Sequence, residues 1–109
     1  MTRRGRRALV TGGAGLIGSH LSDLLLGQGY EVRILDNLEP NTHRNGKPPW
    51  IPPEAEFLRA DIRDREAVRS ALEGVSVVFH QAAYGGYMPE MAKYVEVNSF
   101  GTAQMLETI

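Results

Sequence analysis

Short apolar runs alternate along this chain with longer stretches in which apolar residues return every three or four positions. Ala8 to Thr11, Glu31 to Leu35, Ala55 to Arg59 and Val75 to Phe79 have the length of strands. The last of them is apolar and β-branched, as expected of a strand covered on both faces. Between them, Leu16, Ile17, Leu21, Leu24 and Leu25 recur at helical spacing from Gly15 to about Gly27, where Gly27 and Gly29 stop the helix. Asp64 caps a second helix carrying Ala67, Val68, Ala71 and Leu72, which Gly74 ends. A last helix runs from about Pro89 to the end, through Met91, Tyr94, Val95, Asn98, Met105 and Leu106.

Strand and helix in this alternation predict an α/β fold with right-handed crossovers: a Rossmann-type doubly wound parallel sheet with strand order 3-2-1-4. Residues 37–54 break the pattern. Pro40, Pro48, Pro49, Pro52 and Pro53 exclude a central strand or a regular helix there, and a loop of this length is usually functional. No repeat and no second boundary interrupts the chain, so residues 1–109 read as one domain.

Composition narrows the function classes. The chain has 109 residues, 42% hydrophobic and 23% charged, with a formal net charge of −1. No overall field draws it to nucleic acid or to a membrane. Arg3, Arg4, Arg6 and Arg7 form the one basic cluster, read as a solvated lead-in to the first strand. No cysteine is present, which removes disulfides, thiolate catalysis and Cys-based zinc sites. No apolar run approaches the ~20 residues of a membrane span. The basic start is followed by too short an apolar stretch for a signal peptide. These features predict a cytoplasmic protein. His20, His43 and His80 offer no metal-ligand spacing. His80, at the end of an apolar strand with no local Ser or Asp arrangement, reads as a satisfied, partly buried histidine rather than a base.

The candidate chemistry lies in Thr11-Gly12-Gly13-Ala14-Gly15-Leu16-Ile17-Gly18, between the first strand and the first helix. Gly13-x-Gly15-x-x-Gly18 matches the dinucleotide fingerprint, and Gly12-x-x-Gly15-x-x-Gly18 its short-chain variant. Either reading gives a tight turn, a close main-chain approach to a diphosphate, and a helix amino terminus offering free N–H groups and positive dipole. No Gly-Lys-Ser/Thr follows, so this is not a Walker-type loop. Asp36, 18 residues beyond Gly18 at the end of the second strand, is placed to accept from the ribose hydroxyls of adenosine. Its charge repels a 2′-phosphate and favours NAD over NADP. Arg33 and Arg44 argue the other way, since a nearby guanidinium can hold that phosphate. Asp36 with Asn37 also suits a simple turn.

Five motifs in order resemble the extended short-chain dehydrogenase/reductases, in particular the NAD-dependent epimerase/dehydratase group that acts on nucleotide sugars. They are Leu9 to Leu21, Asp36-Asn37, Ala60-Asp61-Ile62-Arg63-Asp64, Val78-Phe79-His80-Gln81-Ala82-Ala83, and Val97-Asn98-Ser99-Phe100-Gly101-Thr102. The resemblance implies a cofactor site of Gly12, Gly15, Leu16, Ile17, Gly18, Asp36, Asn37, Asp61, Ile62, Gln81, Ala82, Ala83 and Asn98. Within it, Asp61 receives the adenine amino group and Ile62 flanks the ring. Gln81, Ala82 and Ala83 line the cofactor with main chain at the carboxyl edge of the sheet, and Asn98 fixes the active-site side of the central helix. The loop Tyr84-Gly85-Gly86-Tyr87 borders the substrate pocket, with Tyr84 as a candidate substrate contact.

The family's Tyr-x-x-x-Lys pair has no counterpart: Ile34, Met88, Met91 and Asn98 stand four residues after Tyr30, Tyr84, Tyr87 and Tyr94. No catalytic residue is therefore assigned. The chain is read as the amino-terminal portion of a longer enzyme, inactive alone. A non-catalytic dinucleotide sensor and a reductase of a non-sugar carbonyl are the competing readings. A half-sheet ending at an apolar strand also exposes surface, which predicts marginal stability or self-association, with a homodimer as the expected assembly.

Overall fold

A computed structural model describes residues 6–40, 43–85 and 89–109. Its elements are β1 (Arg7–Thr11), α1 (Leu16–Gly27), β2 (Glu31–Asp36), β3 (Glu56–Arg59), α2 (Arg65–Ala71), β4 (Val77–His80), α3 (Met91–Val95), a π-helical segment (Glu96–Gly101) and α4 (Thr102–Thr108). The four strands pair in parallel in the order β3-β2-β1-β4, as the strand–helix alternation predicts. Among the described residues, no helix is long and apolar enough to cross a membrane.

Successive strand residues feed two separate cores, because side chains alternate between the faces of a sheet. Ala8, Val10, Val32 and Ile34 pack with Leu25 of α1. Leu9 and Leu35 pack on the other face with Val68, Ala71, Val97 and Met105. The carboxyl ends of β1, β2 and β4 are thereby held in register, with Thr11 opposite both Leu35 and His80.

Where the helices meet the sheet, size matters more than hydrophobicity. The buried face of α1 is Gly18, Ser19, Ser22 and Leu25, while Leu16, Ile17 and Leu24 are exposed. Close approach at the glycine end leaves room only for small side chains, and the Ser22 hydroxyl is satisfied by donating to the Gly18 carbonyl at 2.8 Å. Asp64 caps α2 as expected, accepting from the Ala67 amide at 3.3 Å. β4 starts later than the apolar run suggested, since the Val75 amide bonds back to Leu72 in the turn after α2.

Two expectations change. The last helix is not continuous: the π-helical segment breaks it, keeping Val97 and Gly101 turned to the core. A Cβ at Gly101 would lie 2.7 Å from the Ile62 Cδ1, so glycine lets this segment settle on Ile62. The region after β2 is irregular but not structureless. Leu38 and Ile51 are buried in the core on the α1 side, and the Trp50 indole N–H donates to the Ala14 carbonyl at 3.1 Å. Leu38 sits at φ +54°, and its amide donates to Asp36 Oδ1 at 2.8 Å. Burial of the leucine side chain and this bond offset a left-handed conformation that costs about 1–3 kcal/mol.

Candidate functional site

The glycine turn between β1 and α1 is shaped by what crowds it. Gly12 has φ +71°, and a Cβ there would stand 2.8 Å from the Ala82 nitrogen and 2.9 Å from the Gln81 carbonyl carbon. A Cβ at Gly18 would strike the Gly12 carbonyl oxygen. Gly15, by contrast, meets only the Gly12 oxygen at 3.3 Å and lies on the cleft wall. Backbone bonds brace the turn: Gly12 donates to Leu35 at 2.8 Å and Gly15 to Gly12 at 3.0 Å. No side chain caps α1 at Gly15. The amides of Leu16, Ile17 and Gly18 therefore lie in a first turn where the helix supplies no acceptor.

A cleft opens at the carboxyl edge of the sheet, as a parallel sheet dictates. Its walls bring together Gly12, Gly15, Asp36, Asn37, Asp61, Ile62, Gln81, Ala82, Ala83 and Tyr84, ten of the residues singled out from the sequence. Leu16, Ile17, Gly18 and Asn98 lie outside these walls. The Leu16 and Ile17 side chains point to solvent, which leaves their main chain as the part that can face a ligand.

Asp36 is buried, and both carboxylate oxygens accept from main chain: Oδ2 from Ala14 at 3.0 Å, Oδ1 from Leu38 at 2.8 Å. Each oxygen keeps a lone pair for a ligand hydroxyl. Asp61 is gripped by its own neighbour. Arg63 donates through Nε to Oδ1 at 3.0 Å and through its terminal nitrogen to Oδ2 at 2.7 Å, and Asn37 adds a 3.3 Å bond to Oδ2. The Arg63 guanidinium holds the Asp61 carboxyl below the usual carboxylate range.

Arg33 is not a phosphate ligand. It is buried and points to the end of α2, where it donates to the Ala71 and Glu73 carbonyls at 2.6 and 2.9 Å and pairs with Glu56 at 2.7 Å. Its charge caps a helix carboxyl terminus. Arg44 is not part of the cleft wall.

Tyr84 lies on the cleft wall but is largely covered. Its side chain is 3% exposed, edge-on to Tyr94 with ring centroids 4.9 Å apart, beneath the Lys93 ammonium. Tyr84 thus lines the cleft while its ring packs against the core cluster of Leu9 and Met105. Gly86 and Tyr87 of the same loop lie outside the described residues. Asn98 acts on this loop: its Oδ1 accepts from the Tyr84 amide and its Nδ2 donates to the Tyr84 carbonyl, both at 2.8 Å. It shapes the cleft through the chain at 84 and does not line it.

Glu39 and His43 also line the cleft and carried no sequence signal. Glu39 pairs with Lys93 at 2.8 Å, tying the loop after β2 to α3.

Gly12→Ala is expected to destabilise the fold by about 1–3 kcal/mol in denaturant unfolding, from strain at positive φ and collision with a peptide that cannot swing aside. Gly27→Ala, where an added methyl meets nothing within 4 Å, serves as the control and should not destabilise. Because the Asp61 pKa is lowered in the fold, its contribution to stability is present above the ordinary carboxylate range and is lost as pH falls through the folded value. Asp61→Asn should therefore be less stable than the parent at neutral pH and flatten the acid side of a stability-against-pH curve. An unchanged curve would count against the Arg63 pairing.

Comparison with known proteins agrees with this fold. The model of the NAD dependent epimerase/dehydratase family matches residues 8–109. A Methanocaldococcus jannaschii protein whose name assigns it provisionally as a UDP-glucose 4-epimerase is 43% identical, over 91% of this chain and 32% of its own length. The crystal structure of Thermus thermophilus UDP-glucose 4-epimerase in complex with NAD matches with a TM-score of 0.80 at 40% identity, covering 94% of this chain and 33% of that one. That of the Thermotoga maritima UDP-glucose 4-epimerase with UDP-glucose matches with a TM-score of 0.82 at 34% identity, covering 94% and 33%. The chain spans about a third of the length of these relatives. With its Rossmann-type sheet, its glycine turn and a match over residues 8–109, the chain belongs to the NAD-dependent epimerase/dehydratase family.

Proposed function

We propose that this chain is the NAD-binding portion of an enzyme that epimerises or dehydrates a nucleotide sugar. One observation carries the reading: the glycine turn, Asp36 and the chain at 81–83 converge on a single cleft at the carboxyl edge of the sheet. The residues fit a dinucleotide. Free amides of Leu16, Ile17 and Gly18, at the positive end of the α1 dipole, suit a diphosphate. Asp36 with Asn37 suits the adenosine ribose. Asp61 and Ile62 suit the adenine, and Gln81, Ala82 and Ala83 allow main chain to approach the rest. NAD is favoured over NADP because Asp36 carries negative charge into the cleft wall while Arg33 is committed to α2.

Bound there, NAD would supply the hydride-transfer chemistry of its nicotinamide. This chain's own part is to bind and orient. It holds no Tyr-x-x-x-Lys pair to move the proton that accompanies hydride transfer, so the 109 residues on their own are inactive in this reading. The relatives named for UDP-glucose support a nucleotide sugar as substrate. Exposed Met91, Val95, Phe100 and Leu106 on the last helical stretch support a homodimer, or cover by the rest of a longer enzyme.

Calorimetric titration of the natural protein with NAD and NADP tests the cofactor. NAD should bind more tightly, and Asp36→Asn should weaken it by about tenfold or more while narrowing the preference. Equal indifference to both cofactors would refute the reading. Turnover of a nucleotide sugar should be found in the natural protein and not in residues 1–109 alone, and activity of the isolated piece would refute that part.

A further inference from the structure

His80 ends β4 beside the cleft and takes no part in the ligand contacts proposed above. Its ring sits between two threonines: Nδ1 is 2.7 Å from Thr11 Oγ1, and Nε2 is 2.9 Å from Thr102 Oγ1. The bonds around them assign every proton. Thr11 Oγ1 accepts from the Gln81 amide at 3.0 Å and the Ala82 amide at 3.1 Å. With both lone pairs used, it has only its hydrogen to offer, and His80 Nδ1 must accept it. The ring proton therefore sits on Nε2 and is donated to Thr102, whose hydroxyl passes its own hydrogen to the Asn98 carbonyl at 2.8 Å. Asn98 in turn holds Tyr84 by its amide and carbonyl.

Resting on the NAD reading, we propose that His80 is a positioning residue for cofactor binding: as the neutral Nε2–H tautomer it fixes, through Thr11, the Gln81–Ala82 peptide against which Gly12 closes, and through Thr102 and Asn98 the chain at Tyr84. A protonated ring presents a second N–H to Thr11, whose oxygen has no lone pair left. The Gln81 amide also donates to the Thr11 carbonyl at 3.1 Å, so the bond that yields is that from the Ala82 amide, and the peptide under Gly12 loosens at that end. The groups that meet the ring, Thr11 from β1 and Thr102 from α4, are uncharged. Burial alone pushes the histidine below its ordinary range, in the direction that favours the neutral ring the two threonine bonds require.

The test is NAD affinity by calorimetry on the natural protein and on His80→Leu and His80→Asn, between about pH 5 and pH 8. The parent should bind at least about fivefold more weakly at the acid end. The leucine variant should bind about tenfold more weakly than the parent at neutral pH and lose the acid dependence. Asparagine accepts from Thr11 but cannot titrate, so it should recover part of the loss and also be flat. His43 lines the cleft too, and the variants, which leave it in place, serve as the control for it. If all three proteins share one pH profile, or if leucine binds like the parent, the proposal falls while the NAD reading stands. If the parent binds no NAD at any pH, both fall. Should the leucine variant not fold, ring ¹⁵N shifts of the parent decide: a proton on Nε2 is expected, and one on Nδ1 overturns the assignment.

Discussion

The site depends on one contact, that between the Gly12 Cα and the peptide joining Gln81 to Ala82. It closes the turn after β1 onto the chain leaving β4, and neither side has space to spare. Everything around it works to keep the two together. β1 and β4 are paired in register up to Thr11 and His80, the Thr11 hydroxyl takes both amides of the β4 exit, and Gly12 bonds back to Leu35. The turn can then aim the first amides of α1 outward because its own position is settled by strands on both sides.

Ala14 is the second anchor. Its amide goes to the Asp36 carboxylate and its carbonyl takes the Trp50 indole proton. One peptide thus joins the glycine turn to β2 and to the loop beyond it. The acidic groups of the cleft are each answered locally. Asp61 is paired with Arg63, Glu39 with Lys93, and Asp36 with main-chain amides. Asp61 and Glu39 are thus each paired with a cation, whereas Asp36, among the described residues, is met only by main-chain amides and keeps its charge at the cleft wall.

Much of this was legible in the chain of residues alone. Strand order followed from alternation and handedness, and the convergence of Gly12, Asp36, Asp61 and Ala82 from motif positions at strand ends. What escaped was set by partners distant in sequence. Arg33 counted against NAD because its acceptors, the carbonyls of Ala71 and Glu73, belong to a helix end that no local pattern assigns to it. The packing of Tyr84 against Tyr94 and Lys93 likewise joins positions that no local pattern connects. Glu39, His43 and Trp50 sit in a stretch without periodicity, whose path depends on where Leu38 and Ile51 find the core. The break in the last helix went unread because a π-helical segment has no signature distinct from an α-helix.

That segment sets the rotational phase of everything after it. In an α-helix each residue turns the chain by about 100°, so the extra residue accommodated between Glu96 and Gly101 shifts the azimuth of α4 by about that much. With the shift, Met105 enters the core and Gln104 reaches the Ile62 and Arg63 carbonyls. A single-residue deletion here would shorten the chain harmlessly by length and yet swing Met105 off the sheet. The spacing from Asn98 onward is therefore a counted quantity, intolerant of insertion or loss in a way that the surface loops of the same molecule are not.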